Sequence, residues 1–509
     1  MPASDAVLSW NLIGAEFGLR TRLGHREWVT GLDGDPRSLP AFMGSLADGS
    51  ADRLFAATFS GLWDVTASST GPSRIVTFGT QTSESGFGEH TAFTDLNGGH
   101  WLLYCDEDNG YYTYHEAGGA WVKVVQNDVS PGAGEIGGVD PASFVSVVSF
   151  QHRNWFVQKD SQAAWYTDLD SLYGTVTRFN FGAHFPHGGD LRSLAVWTNG
   201  EGGPQTRLVA VSGGGDVVIY EGTDPTSAAT FGIVGTWYAG SVPAGRRLTT
   251  NMGGDVAVMS SMGILPLSKL VQGNPIVDRT QYATVKVANL FNQLQAQTSN
   301  LRGWAMRLHP QDAALMVLIP IAANQNAEQL VMSLTTRGWH RYRGLPMGVC
   351  AEPWGGTLYF GSGDGSGRVL VNDGYLDGVT LADPSSYSAI DFSGLSAFSD
   401  LGTAEQKQVQ RIEIRTLSEG GAVNLNAEAR YGFDFTEAPL PAVVASSSGP
   451  LWDVGLWDEA QWEGSYVPQT NVFGAWGMGR EVAVAFRGSA TSRITITDLY
   501  AWFEAGAGS

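Results

Sequence analysis

Short apolar runs separated by glycine-rich or acidic turns recur along most of this chain. The unit is clearest in residues 99–124, GHWLLYCDEDNGYYTYHEAGGAWVKV, where an apolar segment (101–105) enters the turn Asp106-Glu107-Asp108-Asn109-Gly110 and an aromatic segment (111–114) leaves it. Apolar or alternating runs joined by a short Asp/Asn/Gly turn predict a β-hairpin. A second turn at Gly118-Gly119 leads into Trp121-Val122-Lys123-Val124, a third antiparallel strand. Matching hairpins are expected at 54–65, 102–114, 155–167, 208–220, 256–267, 315–334 and 358–371, with starts 48, 53, 53, 48, 59 and 43 residues apart. A period of about 50 residues with a few short strands per repeat suits a propeller blade. The chain therefore reads as all-β, with a β-propeller of about seven blades.

Other patterns fall outside the repeat. Residues 281–297, QYATVKVANLFNQLQAQ, place Ala283, Val287, Leu290, Phe291 and Leu294 on one helical face without Gly or Pro, predicting one inserted helix inside the longest interval. After Asp383-Pro384-Ser385-Ser386 the period stops. Strict alternation at 409–417 and 493–498, with a Pro/Ser/Gly loop at 440–450, predicts an antiparallel C-terminal β-sandwich. Ahead of the repeat, 18–32 carries Arg20, Arg22 and Arg26, read as a solvated edge strand closing the first blade or as a docking surface for an acidic partner. The expected division is 1–50, N-terminal arm and docking strands; 51–386, propeller with the helical insertion; 387–509, β-sandwich.

Composition narrows the function. Hydrophobic residues make up 43% of 509, enough to build a large core without metal or disulfide. The 66 glycines show no triplet period and fit many tight turns. Thirty Lys and Arg against 50 Asp and Glu give a net charge of −20, which argues against tight binding of DNA or an anionic membrane. A conduit through which DNA must slide is compatible with weak repulsion. Residues 387–509 hold −8 of that charge, about twice the density of the remainder. Cys105 and Cys350 lie in strand-like runs and read as small buried hydrophobes of a reducing compartment. The amino terminus lacks a secretory pattern, and the longest apolar run, 313–323, contains Pro320 and is too short to span a bilayer.

Catalytic signatures are sparse. The turn at 108–110 lacks the flanking Ser and Trp of a sialidase Asp-box, and residues 106–108 do not lead to the glycine that a calcium loop requires. His184 and His187 in HFPHGGD are weak evidence for a metal. The glycine-rich 361–367, GSGDGSG, joins two strands instead of opening a helix, so a hairpin turn is a better reading than a phosphate cradle. Trp155, Trp165, Trp197 and Trp237 read as inter-blade core. No catalytic, cofactor-binding or metal-ligating residue is assigned, and the chain is expected not to be an enzyme.

The order of parts resembles the tail nozzle proteins of short-tailed bacteriophages, also called tail hub or tail tubular protein B-like proteins. The likeness rests on LRTRLGHREWVTGL (19–32), RLFAATFSGLWDVT (53–66), the blade ending TTRGWHRY (335–342), and EQKQVQRIEIRTL (405–417), LWDVGLWDEAQW (451–462) and AWGMGREVAVAF (475–486) in the closing domain. It implies a structural virion protein, assembled in the host cytoplasm and forming a homohexameric channel in the tail. A tail adaptor and fibres or spikes would be its partners, and double-stranded DNA would be retained and then pass without specific binding. The alternative reading is a carbohydrate-binding or glycan-cleaving propeller, supported by the Trp and Tyr content. A cellular scaffold propeller is a third.

Overall fold

The computed structural model describes residues 6–199, 205–273, 279–420, 423–441 and 467–506. The fold is all-β, a seven-bladed propeller with a two-sheet domain beside it. Each expected hairpin supplies the second and third strands of one blade, from Arg53–Thr58 with Gly61–Asp64 in the first to Thr357–Ser362 with Val369–Asn372 in the seventh. The innermost strands are Ala41–Phe42, Gly88–Thr94, Phe144–Phe150, Leu191–Asn199, Thr249–Met252, Ala305–His309 and Met347–Trp354, in order round one axis.

Blades are flanked on both faces by neighbours, so their central strands read as continuous apolar runs rather than alternating ones. Leu208, Val209, Ala210 and Val211 are all fully buried. Each seam has its own apolar cluster. Leu103, Tyr111, Val147 and Phe156 join blades two and three, for example, and Val29, Leu54, Val369 and Val371 join seven to one. Trp155 and Trp197 lie in such seams, whereas Trp165 and Trp237 are half-buried at cluster margins. Cys105 and Cys350 are buried free thiols, raised by burial, Cys350 to about 12.

The expected N-terminal arm is corrected, because its strands are spent inside both domains. Strand His25–Val29 pairs antiparallel with Val369–Asn372 and completes the seventh blade, not the first. Ala6–Trp10 joins a sandwich sheet with Ser388–Ser396, Val482–Ala490 and Asn424–Tyr431, and Leu12–Ala15 and Gly18–Thr21 join the second with Ile494–Gly506, Gln406–Ser418 and Val467–Gly474. Asn11, at φ 57°, is the corner at which the chain changes sheets, a conformation Asn tolerates better than most residues. One parallel bridge, Trp10 to Arg341, makes the first sheet continuous with the sixth blade. The sandwich core includes Phe392, Val484 and Phe486 from one sheet and Ile412, Ile414 and Ile494 from the other. Strands 406–418 and 494–506 pair along their length, as the alternation at 409–417 and 493–498 implied. The expected loop at 440–450 lies almost wholly, and the motif at 451–462 wholly, outside the described residues.

The inserted helix is shorter than expected. It runs Ala288–Thr298, after 3-10 turns at Arg279–Gln281 and Val285–Val287. Among the described residues blade five has three strands, and residues 283–284 bond the edge of the third instead of turning helical. Ala283 N donates to Ile264 O at 2.9 Å, and Ile264 N to Thr284 Oγ1 at 3.2 Å. Phe291 buries the helix against Ile264, Trp304 and Met306 of the propeller.

Candidate functional site at the propeller axis

The axis is closed at one end by ion pairs that converge from three connections between blades and one hairpin turn. The turn 106–110 delivers Glu107, whose side chain is 1% exposed. Arg246 Nε and Nη2 donate to its two oxygens, both at 3.1 Å, and Arg302 Nη2 lies 3.1 Å from Oε1. Arg302 also pairs with Glu84. Deeper, Arg247 Nε lies 3.6 Å from Glu89 Oε1 on an innermost strand, and Arg307 Nε donates to Glu352 Oε2 at 3.0 Å.

Protonation follows burial. Desolvation raises the Glu89 carboxyl, against the pull of Arg307 and Arg247, and lowers Arg247. Burial also lowers Arg307, but the fields of Glu352 and Glu89 outweigh it and raise that guanidinium. His90 is lowered by burial, and its Nε2 accepts from Ala41 N at 3.4 Å. A cavity of about 10 Å³ remains among Phe87, Glu89, Glu107, Arg246, Arg247 and Arg302, room for about one water. Glu89 Oε1 and Arg302 Nη1, which lack a hydrogen-bond partner, are its natural clients. Paired charges around one water-sized void make a seal.

The remaining candidates are absorbed locally. The glycine-rich loop at 361–367 does cradle an anion, but an internal one: Gly365 N donates to Asp35 Oδ2 at 2.7 Å, and Gly367 N and Ser362 Oγ to Oδ1 at 3.2 and 2.6 Å. His187 Nδ1 lies 2.7 Å from Asp216 Oδ1, while His184 stacks edge-on to Tyr220. Asp106 caps its own turn, accepting from Asn109 N and Nδ2, and burial raises it to about 6. No group of three potential metal ligands occurs among the described residues, and none of their helices is long and apolar enough to cross a membrane.

The arginines at 18–32 face inward, which corrects their reading as a solvated or docking strip. Arg20 Nη2 donates to Asp312 Oδ1 at 2.8 Å, and the fully buried Arg22 grips Asp377. Only Arg26 keeps an exposed pair, with Asp373. Between the domains, Arg343 bridges Glu437 at 2.8 Å and Asp391 at 3.1 Å.

His340 of blade six completes the junction. Gly14 N donates to its Nε2 at 3.0 Å, which leaves the proton on Nδ1 to donate to Ser9 Oγ at 2.7 Å. Burial lowers this imidazole from 6.5 to about 4. The unfolded chain accepts a proton that the folded one resists, so this share of stability is whole above pH 6.5 and drains away as pH falls towards 4. The loss should reach roughly 3 kcal/mol. Thermal midpoints of the wild type and His340→Gln, compared across that window, should converge as pH drops; parallel curves would remove the histidine from this role.

No protein-family model matches this chain, and no curated protein does. Among solved structures, the β-propeller domain of Cps50 (Swd1) from Myceliophteria thermophila aligns at 11% identity and TM-score 0.37, over 69% of this chain and 98% of that one. The computationally designed Ika8 protein aligns at 10% and 0.35, over 68% and 99%. BBS1N, crystallised with ARL6DN, aligns at 10% and 0.30, over 49% and 74%. At these values the likenesses carry no argument about ligand, partner or assembly.

Proposed function

We propose that this chain is a structural protein of a short-tailed phage tail, a nozzle or hub subunit that stands in a homohexameric ring round the path of the genome. The observation that supports this reading best is the locking of its two domains into one block. The first strands of the chain are built into the sandwich and the last blade, and Arg22, Arg343 and His340 tie the joint with buried or half-buried bonds. The propeller's own axis is sealed by ion pairs, so it serves as a stave, and the passage lies between subunits. An acidic excess of 20 charges suits walls along which a phosphate backbone slides without holding. In this reading the subunit is not an enzyme, meets a tail adaptor and fibres or spikes, and resides in the virion after assembly in the host cytoplasm.

Mass measurement and negative-stain imaging of the purified chain test it. Sixfold rings with an open centre are expected. A stable monomer that depolymerises polysaccharide would overturn the reading.

A further inference from the structure

The last turns of helix Ala288–Thr298 do not lie flush on the propeller. They stand over a groove of about 360 Å³, whose floor is the 241–242 connection and the blade-five turn at Ser261. Ser241 and Ser261 line one side, and Asn292, Gln295, Ser299 and Asn300 line the other. Val242 and Ala296 supply the apolar remainder, and no charged side chain lines the groove. In a chain with 80 charged residues this is an unusually neutral site.

Gln295 gives the groove direction. The residue is only 5% exposed, and its side chain lines the groove, where the carboxamide stays accessible to water or to a ligand. An amide that meets water in a groove can exchange that water for the hydroxyl groups of a ligand. Next to it Thr298 is satisfied by donating to Leu294 O at 2.9 Å, and Ala244 N, on the connection forming the floor, donates to Ser299 O at 2.7 Å. The walls are thus pinned while the amide between them is left open.

We propose that this groove binds an uncharged saccharide, a neutral hexose or N-acetylhexosamine unit, with Gln295 and Asn292 as its central hydrogen-bonding pair. Amides and hydroxyls can each give and accept, which matches the alternating donors and acceptors of vicinal hydroxyl groups. The absence of lining charge disfavours phosphate and carboxylate ligands. A peptide would need pockets for its side chains or a strand edge for its main chain, and a helix and a turn provide neither. The volume, at the low end of the range for small-ligand sites, holds one or two rings. With no aromatic platform, affinity should be weak, on the order of 1 mM.

Saturation-transfer NMR on the full chain, with glucose, galactose, N-acetylglucosamine and the tripeptide Gly-Gly-Gly as probes, tests this. At least one sugar should show transfer, weakened about tenfold by Gln295→Leu and by the exposed Asn292→Ala, with thermal midpoints unchanged. Transfer to none of the three sugars, sugar signals that survive both substitutions, or binding of the tripeptide in their place would each overturn the proposal. None of these outcomes bears on ring formation, so the site and the nozzle reading stand or fall separately.

Discussion

Arg22→Ala is expected to lower the unfolding free energy by roughly 3–5 kcal/mol, the usual cost of stranding one partner of a buried ion pair. The guanidinium is fully buried and all its N–H groups are engaged. Nε donates to Asn11 Oδ1 at 2.9 Å, Nη1 to Leu23 O and Asp377 Oδ1 at 2.8 and 2.9 Å, and Nη2 to Arg343 O and Asp377 Oδ2 at 3.0 and 2.6 Å. One side chain therefore joins the sandwich corner, the closing strand and the loop after blade six. Burial pushes the Asp377 carboxyl up, but bonds from His25 and Arg22 outweigh it and hold it below the ordinary aspartate value. Its contribution is present above that value and is lost as pH falls through the depressed one. Arg22→Lys should rescue little, since an ammonium cannot reproduce a planar fork. Calorimetry, with limited proteolysis of the 22–37 segment, checks both variants. An unchanged midpoint and an uncut junction in Arg22→Ala would mean the weld lies elsewhere.

Glu107→Ala should be about as damaging, by roughly 3–5 kcal/mol, because it leaves Arg246 and Arg302 facing each other without their shared carboxylate. The double variant Glu107→Ala/Arg246→Ala should lose clearly less than the two single losses added together, since coupled partners are non-additive. A denaturation cycle measures the coupling. Strict additivity would show that the seal is a set of independent pairs.

Much of the architecture was legible in the chain for a local reason. The paired strands at the heart of each blade are close in sequence, joined by short turns and packed on both faces, so 208–220 or 315–334 announces itself. Partners far apart are silent. Arg22 and Asp377 are 355 residues apart, and an arginine at 22 looks the same in one letter whether it faces water or a buried carboxylate. The strip at 18–32 was misread for that reason. The axial seal was equally hidden: Arg246-Arg247, an adjacent basic pair in a chain with only 30 basic residues, was the available sign. The helix was overextended because its amphipathic period says nothing of the vacant strand edge in blade five, which captured residues 283–284.

The closing strand also dictates when the molecule can be finished. Residues 25–29 must wait for Val369–Asn372, which is made more than three hundred residues later. The sandwich likewise waits for Ile494–Gly506 before Gly18–Thr21 has a neighbour. Both closures are long-range pairings, so the seam of the seventh blade and the strands at 12–21 are closed only after the intervening chain has been made.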